Sequence, residues 1–174
     1  IFFKPEMSSP NPALIRIMIS AIFLSSDEIF NRFYNLMDDP NFYKLPQDFA
    51  YDRMRSWLHD AASKPYIKKK FSQLKLDDRL LELTYSLNNP SDKESDDNFV
   101  INIFAQYMVI GWLKPQVDNA INTARIIGSK EEKNIQSNYK TNIERLESLE
   151  RNLRKFIRDD GYINNSYISG GETS

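Results

Sequence analysis

At 174 residues the chain is long enough for one domain with a sizeable core. A formal net charge of −1, no cysteine, five glycines and one histidine exclude several classes together. Gone are a global field for nucleic acid or membrane, disulfides and thiolate metal sites, Gly-rich phosphate loops, and an HExxH zinc site. No apolar run reaches the ~18–20 residues of a membrane span without a polar or proline interruption. No basic-then-apolar signal peptide is visible, and the chain opens at Ile1 rather than Met, which fits a piece of a longer protein.

Residues 1–12 read as an extended N-terminal arm, because three prolines remove donors and push their predecessors out of the helical region. Phe2 and Phe3 are costly to leave in water, so they are expected to dock on this chain or a neighbour. Pro12 opens a short helix over ALIRIMISAIFL, although its isoleucines leave a strand open as well. Ser26 with Asp27 and Glu28 starts the next helix, with Ile29, Phe30, Phe33, Leu36 and Met37 on one face, and Asp39-Pro40 ends it. Leu45-Pro46 begins another helix, running to Ser63, with Phe49, Met54, Trp57 and Leu58 inside. Asp77-Asp78 is read as the start of a helix through Tyr85 that buries Leu80, Leu81 and Leu83. Residues 88–98 are polar and mostly acidic, and read as a surface loop.

An apolar helix follows from about Asn98, and Pro115 kinks it or separates it from a second helix, Gln116 to Ile127. Gly128 is placed to end that helix, and Ser129-x-x-Glu132 forms a capping box that restarts the chain. The last helix runs to Asp160, with a stripe through Ile135, Tyr139, Ile143, Leu146, Leu149, Leu153 and Phe156 or Ile157. That stripe suits either its own fold or a neighbouring subunit. The expected core holds Ile29, Phe33, Trp57, Leu81, Phe104, Met108, Trp112, Leu146 and Leu153. The expected class is all-α: a helical bundle over 13–160 with the N-terminal arm and a C-terminal tail, 161–174. In that tail Tyr162, Ile163, Tyr167 and Ile168 are spaced to pair with a partner sheet, and a frayed terminus is the alternative.

Little in the chain points to catalysis. His59 beside Asp60 has the make-up of a base oriented by an acid, but no serine or cysteine motif accompanies it, and a structural histidine is the favoured reading. The pairs Asp38-Asp39, Asp77-Asp78, Asp96-Asp97 and Asp159-Asp160 suit helix ends and turns better than a metal, which needs several oxygens converging on one point. Lys68, Lys69 and Lys70, with Tyr66 and Phe71 nearby, are the one basic cluster and a candidate nucleic-acid contact; a solvated face is the plainer reading. No cofactor or metal is expected.

The segment MVIGWLKPQVDN (Met108–Asn119), Thr123, SKEEK (Ser129–Lys133), the helix with Leu146, Leu149 and Leu153, and RDDGYINNSY (Arg158–Tyr167) together resemble a family of tailed-bacteriophage neck proteins. These are the head-to-tail connector, or adaptor, subunits beneath the portal. DDPNFYKLP (Asp38–Pro46) and AIFLSSDEIFNRF fit the same pattern more loosely. The resemblance implies a mostly helical subunit of a homo-oligomeric ring, commonly twelvefold. It also implies portal and tail proteins as partners, DNA passing through without specific binding, and residence in the virion after assembly in the host cytoplasm. It implies no catalytic residue. A lumen with little affinity for DNA requires the lysines of 64–75 to face elsewhere. The alternative is a DNA-binding packaging or replication protein, small-terminase-like, with an oligomerising helical hairpin. An enzyme of another type would need converging polar groups that the sequence does not display.

Overall fold

The computed structural model describes residues 22–127 and 129–163, with backbone alone at 124–125, 127, 129–136, 138 and 161–163. The arm with Phe2 and Phe3, residues 13–21 of the short helix expected over 13–24, Gly128, and Tyr167 and Ile168 of the tail lie outside the described residues.

The chain order is β1 (Ile22–Ser25), α1 (Ser26–Leu36), a 3-10 turn (Phe42–Lys44), α2 (Gln47–Ser63), α3 (Pro65–Lys68), β2 (Phe71–Asp77), β3 (Glu82–Leu87), α4 (Lys93–Ile127) and α5 (Ser129–Ile163). The class is therefore mixed rather than all-α: a three-stranded antiparallel sheet in the order β1-β3-β2 packs with the helices.

The sheet corrects the expected helix after Asp77. Leu83, Tyr85 and Leu87 are buried at steps of two, the spacing that puts side chains on one face of a strand. The Asp77 carboxylate accepts from the Arg79 and Leu80 amides at 3.0 and 3.1 Å, closing a turn instead of capping a helix. Leu81 takes a left-handed φ of 53° there, so it is only half-buried, and Leu80 points outward at 66% exposure. Of the segment before Ser26, Ile22–Ser25 is a strand, with Ile22 opposite Tyr85 and Ser25 opposite Glu82.

The helix starts follow local chemistry. Ser25 Oγ accepts from the Asp27 amide at 3.2 Å, one residue earlier than expected, and Asp27 and Glu28 occupy the positive end of α1. Ile29, Phe30 and Phe33 form its buried face. In α2 the buried residues are Ala50, Met54, Leu58 and Ala61, so the inner stripe runs one residue later than expected at its start. Phe49 lies outside under the Arg53 guanidinium, 5.0 Å from the ring centre.

Helix α4 is the axis of the fold. Val100, Ile103, Phe104, Ala105, Met108, Val109, Ile110 and Leu113 are all buried, as suits a helix with neighbours on most sides. It begins at Lys93 inside the expected loop and runs unbroken past Pro115. Pro115 cannot donate to the Gly111 carbonyl one turn back, and the Gln116 side chain donates to the next carbonyl along, Trp112 O, at 3.1 Å. α5 returns antiparallel along α4, with the Phe99 and Phe156 rings 5.3 Å apart at the far end. Leu146, Leu153 and Ile157 are buried and Ile143 and Leu149 are packed against the core. That part of the stripe faces its own fold. α5 continues three residues past Asp160, so Tyr162 and Ile163 belong to the helix and not to an extended tail.

Trp57 and Trp112 are half-buried, stacked edge to face with centroids 6.3 Å apart. Gly111 lets Trp57 lie against α4, since a Cβ there would sit 2.7 Å from Trp57 Cδ1.

Candidate functional site

A cleft of about 310 Å3 opens where α2 and α3 meet the α4–α5 pair. Tyr66, Tyr107 and Ile110 supply its apolar surface, and Lys64, Lys114 and Arg154 bring positive charge. Asp60 and Glu150 are the two acids on its lining.

Each side chain arrives by simple helical geometry. Asp60 and Lys64 are one turn apart at the end of α2 and pair at 2.8 Å. The Tyr107 hydroxyl on α4 donates to the other Asp60 oxygen, which bridges the two helices. The Lys64 ammonium stands 5.7 Å from the Tyr107 ring centre. On α5 the Arg154 guanidinium lies over the Tyr66 ring at 4.6 Å. Lys114 reaches Asp118 at 3.5 Å. Among the described residues Arg154 has no carboxylate within ion-pair distance.

The electrostatics do not suit proton transfer near neutral pH. Burial pushes the Asp60 carboxyl up, but hydrogen bonds from Lys64 and Tyr107 and the Lys64 charge outweigh it, and the group sits below its ordinary value. The same contact with Asp60 raises Lys64. Burial, then the bond to Asp60, pushes the Tyr107 phenol up to about 12. At neutral pH the acid is ionised while the amine and the phenol keep their protons. None is poised near 7, where general acid–base work is efficient. Lys64 pairs with Asp60 and Lys114 with Asp118, which leaves Arg154 against Glu150.

The residues singled out in the sequence are spread over the fold. His59 Nε2 lies 2.8 Å from Asp78 Oδ1, not beside Asp60, and ties α2 to the β2–β3 turn together with Arg55. Asp38 pairs with Arg145, and Asp39 accepts from Trp112 Nε1 at 2.9 Å. Asp97 accepts from the buried Tyr85 hydroxyl at 2.6 Å, and Asp96 is buried at the start of α4. The acid pairs thus hold elements together, and no group of three metal-ligating side chains converges among the described residues. Lys68 and Lys69 are exposed at the α3–β2 corner, while Lys70 is drawn inward to Asp160 at 3.5 Å and toward the Phe99 ring. No helix among the described residues is long and apolar enough to cross a membrane.

The cleft itself was not foreseen. The Asp60-x-x-x-Lys64 and Glu150-x-x-x-Arg154 spacings are visible in the sequence, but nothing local says that the two pairs and both tyrosines meet. No protein-family model, curated protein or solved structure matches this chain.

Proposed function

We propose that the chain is a structural subunit of an oligomeric ring, of the head-to-tail connector kind, joining a phage portal to the tail and extending the DNA channel. The observation that carries this reading is the α4–α5 hairpin. Two helices of 35 residues each span roughly 50 Å at ~1.5 Å per residue. Among the described side chains, burial on α4 ends at Ala120 and burial on α5 begins at Leu146. Beyond those points Ile126 is 84% exposed and Tyr139 is 39% exposed. Exposed apolar side chains at Ile126 and Tyr139 suit a subunit that reaches into its neighbours, and contacts between unlike patches close into rings. Support also comes from the cleft, where Asp60, Lys64 and Tyr107 are not tuned for proton transfer near neutral pH. Portal and tail proteins are the partners on this reading, and the virion neck is its place.

Native mass spectrometry and class averages of the purified protein test it. A closed ring of copies is expected, commonly twelvefold; a protein that stays monomeric at every concentration refutes the reading. A second reading, a DNA-binding packaging protein, draws on the exposed Lys68 and Lys69, which have no carboxylate in ion-pair distance among the described residues. It requires salt-dependent duplex binding that falls on neutralising Lys68, Lys69 and Lys70, and a flat titration at low salt removes it.

A further inference from the structure

The sheet has an open edge close to the point where α5 ends. β2 (Phe71–Asp77) pairs with β3 on one side only. Among the described residues no backbone bond reaches its other side. Every second residue of an edge strand aims its N–H and C=O away from the sheet, where they meet water or another strand. The core-side residues of β2 are also incompletely covered. Leu76 and Leu74 lie opposite Leu83 and Tyr85, which are fully buried, yet both β2 leucines are only half-buried. A further strand beside β2, with one large apolar side chain on that face, closes this gap.

α5 delivers the chain to that edge. Its last turns run beside the stretch that leads into β2: Arg154 lies over the Tyr66 ring at 4.6 Å, and Asp160 meets Lys70 at 3.5 Å. Lys70 is the residue before Phe71, and α5 ends at Ile163, within a turn of Asp160. Residues 164–174 follow. β2 spans about 23 Å at ~3.3 Å per residue, while 164–174 reach about 36 Å when extended, which leaves about four residues for the turn onto the edge. The other open edge, β1, lies on the far side of β3 and is shorter.

We propose that residues 164–174 dock on their own chain as a further strand along β2, in the order β1-β3-β2-tail. Coming from the Phe71 end, a strand that follows the edge toward Asp77 runs parallel to β2. Tyr167 and Ile168 are adjacent, so in a strand they take opposite faces, and the one on the core face covers Leu74 and Leu76. Docking at home is favoured over docking on a neighbour, because α5 holds the tail at high effective concentration beside the edge. It also removes an edge on which other chains could pair. The pairing holds in a monomer and does not depend on the ring reading.

Amide hydrogen exchange of the full chain, read over Phe71–Asp77 by mass spectrometry, tests the pairing. Proline cannot donate to a ladder, and neighbouring residues of a strand aim their amides to opposite sides. Of Tyr167→Pro and Ile168→Pro, one is therefore expected to speed exchange across Phe71–Asp77 by roughly tenfold or more, and the other by less. Exchange across Leu83–Leu87 is expected to hold in both, which shows that the rest of the sheet is intact. Unchanged exchange of Phe71–Asp77 in both variants overturns the pairing. A second measurement identifies the chain that receives the tail. The protein has no cysteine, so Gln73→Cys can be combined with Ser166→Cys or Ser169→Cys and joined by a short bismaleimide. Ser166 and Ser169 fall on opposite faces of a strand, so one of the two pairs is expected to cross-link within a single chain and run as a monomer on a denaturing gel. Cross-links found only between chains give the tail to a neighbouring copy and overturn the proposal, as does the absence of any cross-link from either pair.

Discussion

Replacing Gly111 by alanine sets two effects against each other at one atom. Alanine is favoured over glycine inside a helix by about 1 kcal/mol, and α4 is helical on both sides of this position. A Cβ at residue 111 would lie 2.7 Å from Trp57 Cδ1 and 2.8 Å from Cγ. Carbon atoms in contact prefer separations of about 3.5–4.0 Å, so the indole must retreat by roughly 0.8 Å. The atoms struck are at the root of the ring, which swings least. Its retreat is resisted by Phe33 at 5.9 Å and Trp112 at 6.3 Å, and Trp112 is itself held by Asp39. Overpacking of this kind costs about 1–3 kcal/mol, which exceeds the propensity gain. Gly111→Ala is expected to be net destabilising by about 1 kcal/mol, a fall in Tm of roughly 2–4 °C for a chain of this size. Urea denaturation with unchanged slope is the assay, extended to Trp57→Leu and the double variant. If the clash is the cause, the two changes are non-additive by more than about 0.5 kcal/mol, with the alanine less harmful once the indole is gone. A stabilised Gly111→Ala protein, or strict additivity, refutes the argument.

Tyr85→Phe removes a hydroxyl from a fully buried ring and leaves Asp97 without that donor; a loss of about 1–2 kcal/mol in denaturant unfolding is expected. Asp78 is held below its ordinary value first by its hydrogen bond from His59, and Asp60 is also lowered, so both are depressed in the fold. Their stabilisation is present above the unfolded carboxylate value of about 4 and is lost as pH falls through the folded values. Asp60→Asn and Asp78→Asn should therefore flatten the acid limb of a stability–pH curve below about pH 4. Asp96 has the opposite sign: burial, then the charges of Asp92, Asp160 and Asp97, raises it, although the Ser91 amide hydrogen bond works against them. Its ionised form is disfavoured in the fold, and Asp96→Asn, which keeps an acceptor for Ser91, is expected to raise stability at neutral pH and lose that advantage in acid. Truncation after Gly161 tests the expected role of the residues beyond it in partner binding; unchanged self-association and unchanged binding of neck proteins would exclude that role.

Much of the helical frame was legible along the chain. Ser25 to Glu28 start a helix, Pro46 precedes another, and the three-and-four spacing of Leu146, Leu149, Leu153 and Ile157 predicts the packed face of α5. These are local signals, since a cap or a stripe is made by residues within a turn or two of one another. One local reading was wrong. Leu80, Leu81 and Leu83 were read as a helix face, but Leu83, Tyr85 and Leu87 make a strand face, and pairing with β1 and β2 decided for the strand. Pro115 argued for a break, yet packing along both halves of α4 holds one helix through it. The cleft was the least legible part. Its side chains come from α2, α3, α4 and α5, with Asp60 and Arg154 lying 94 positions apart. Residue type and spacing determine what each helix presents. Only the angles at which the helices pack determine which of those presentations meet, and these angles depend on the whole core at once.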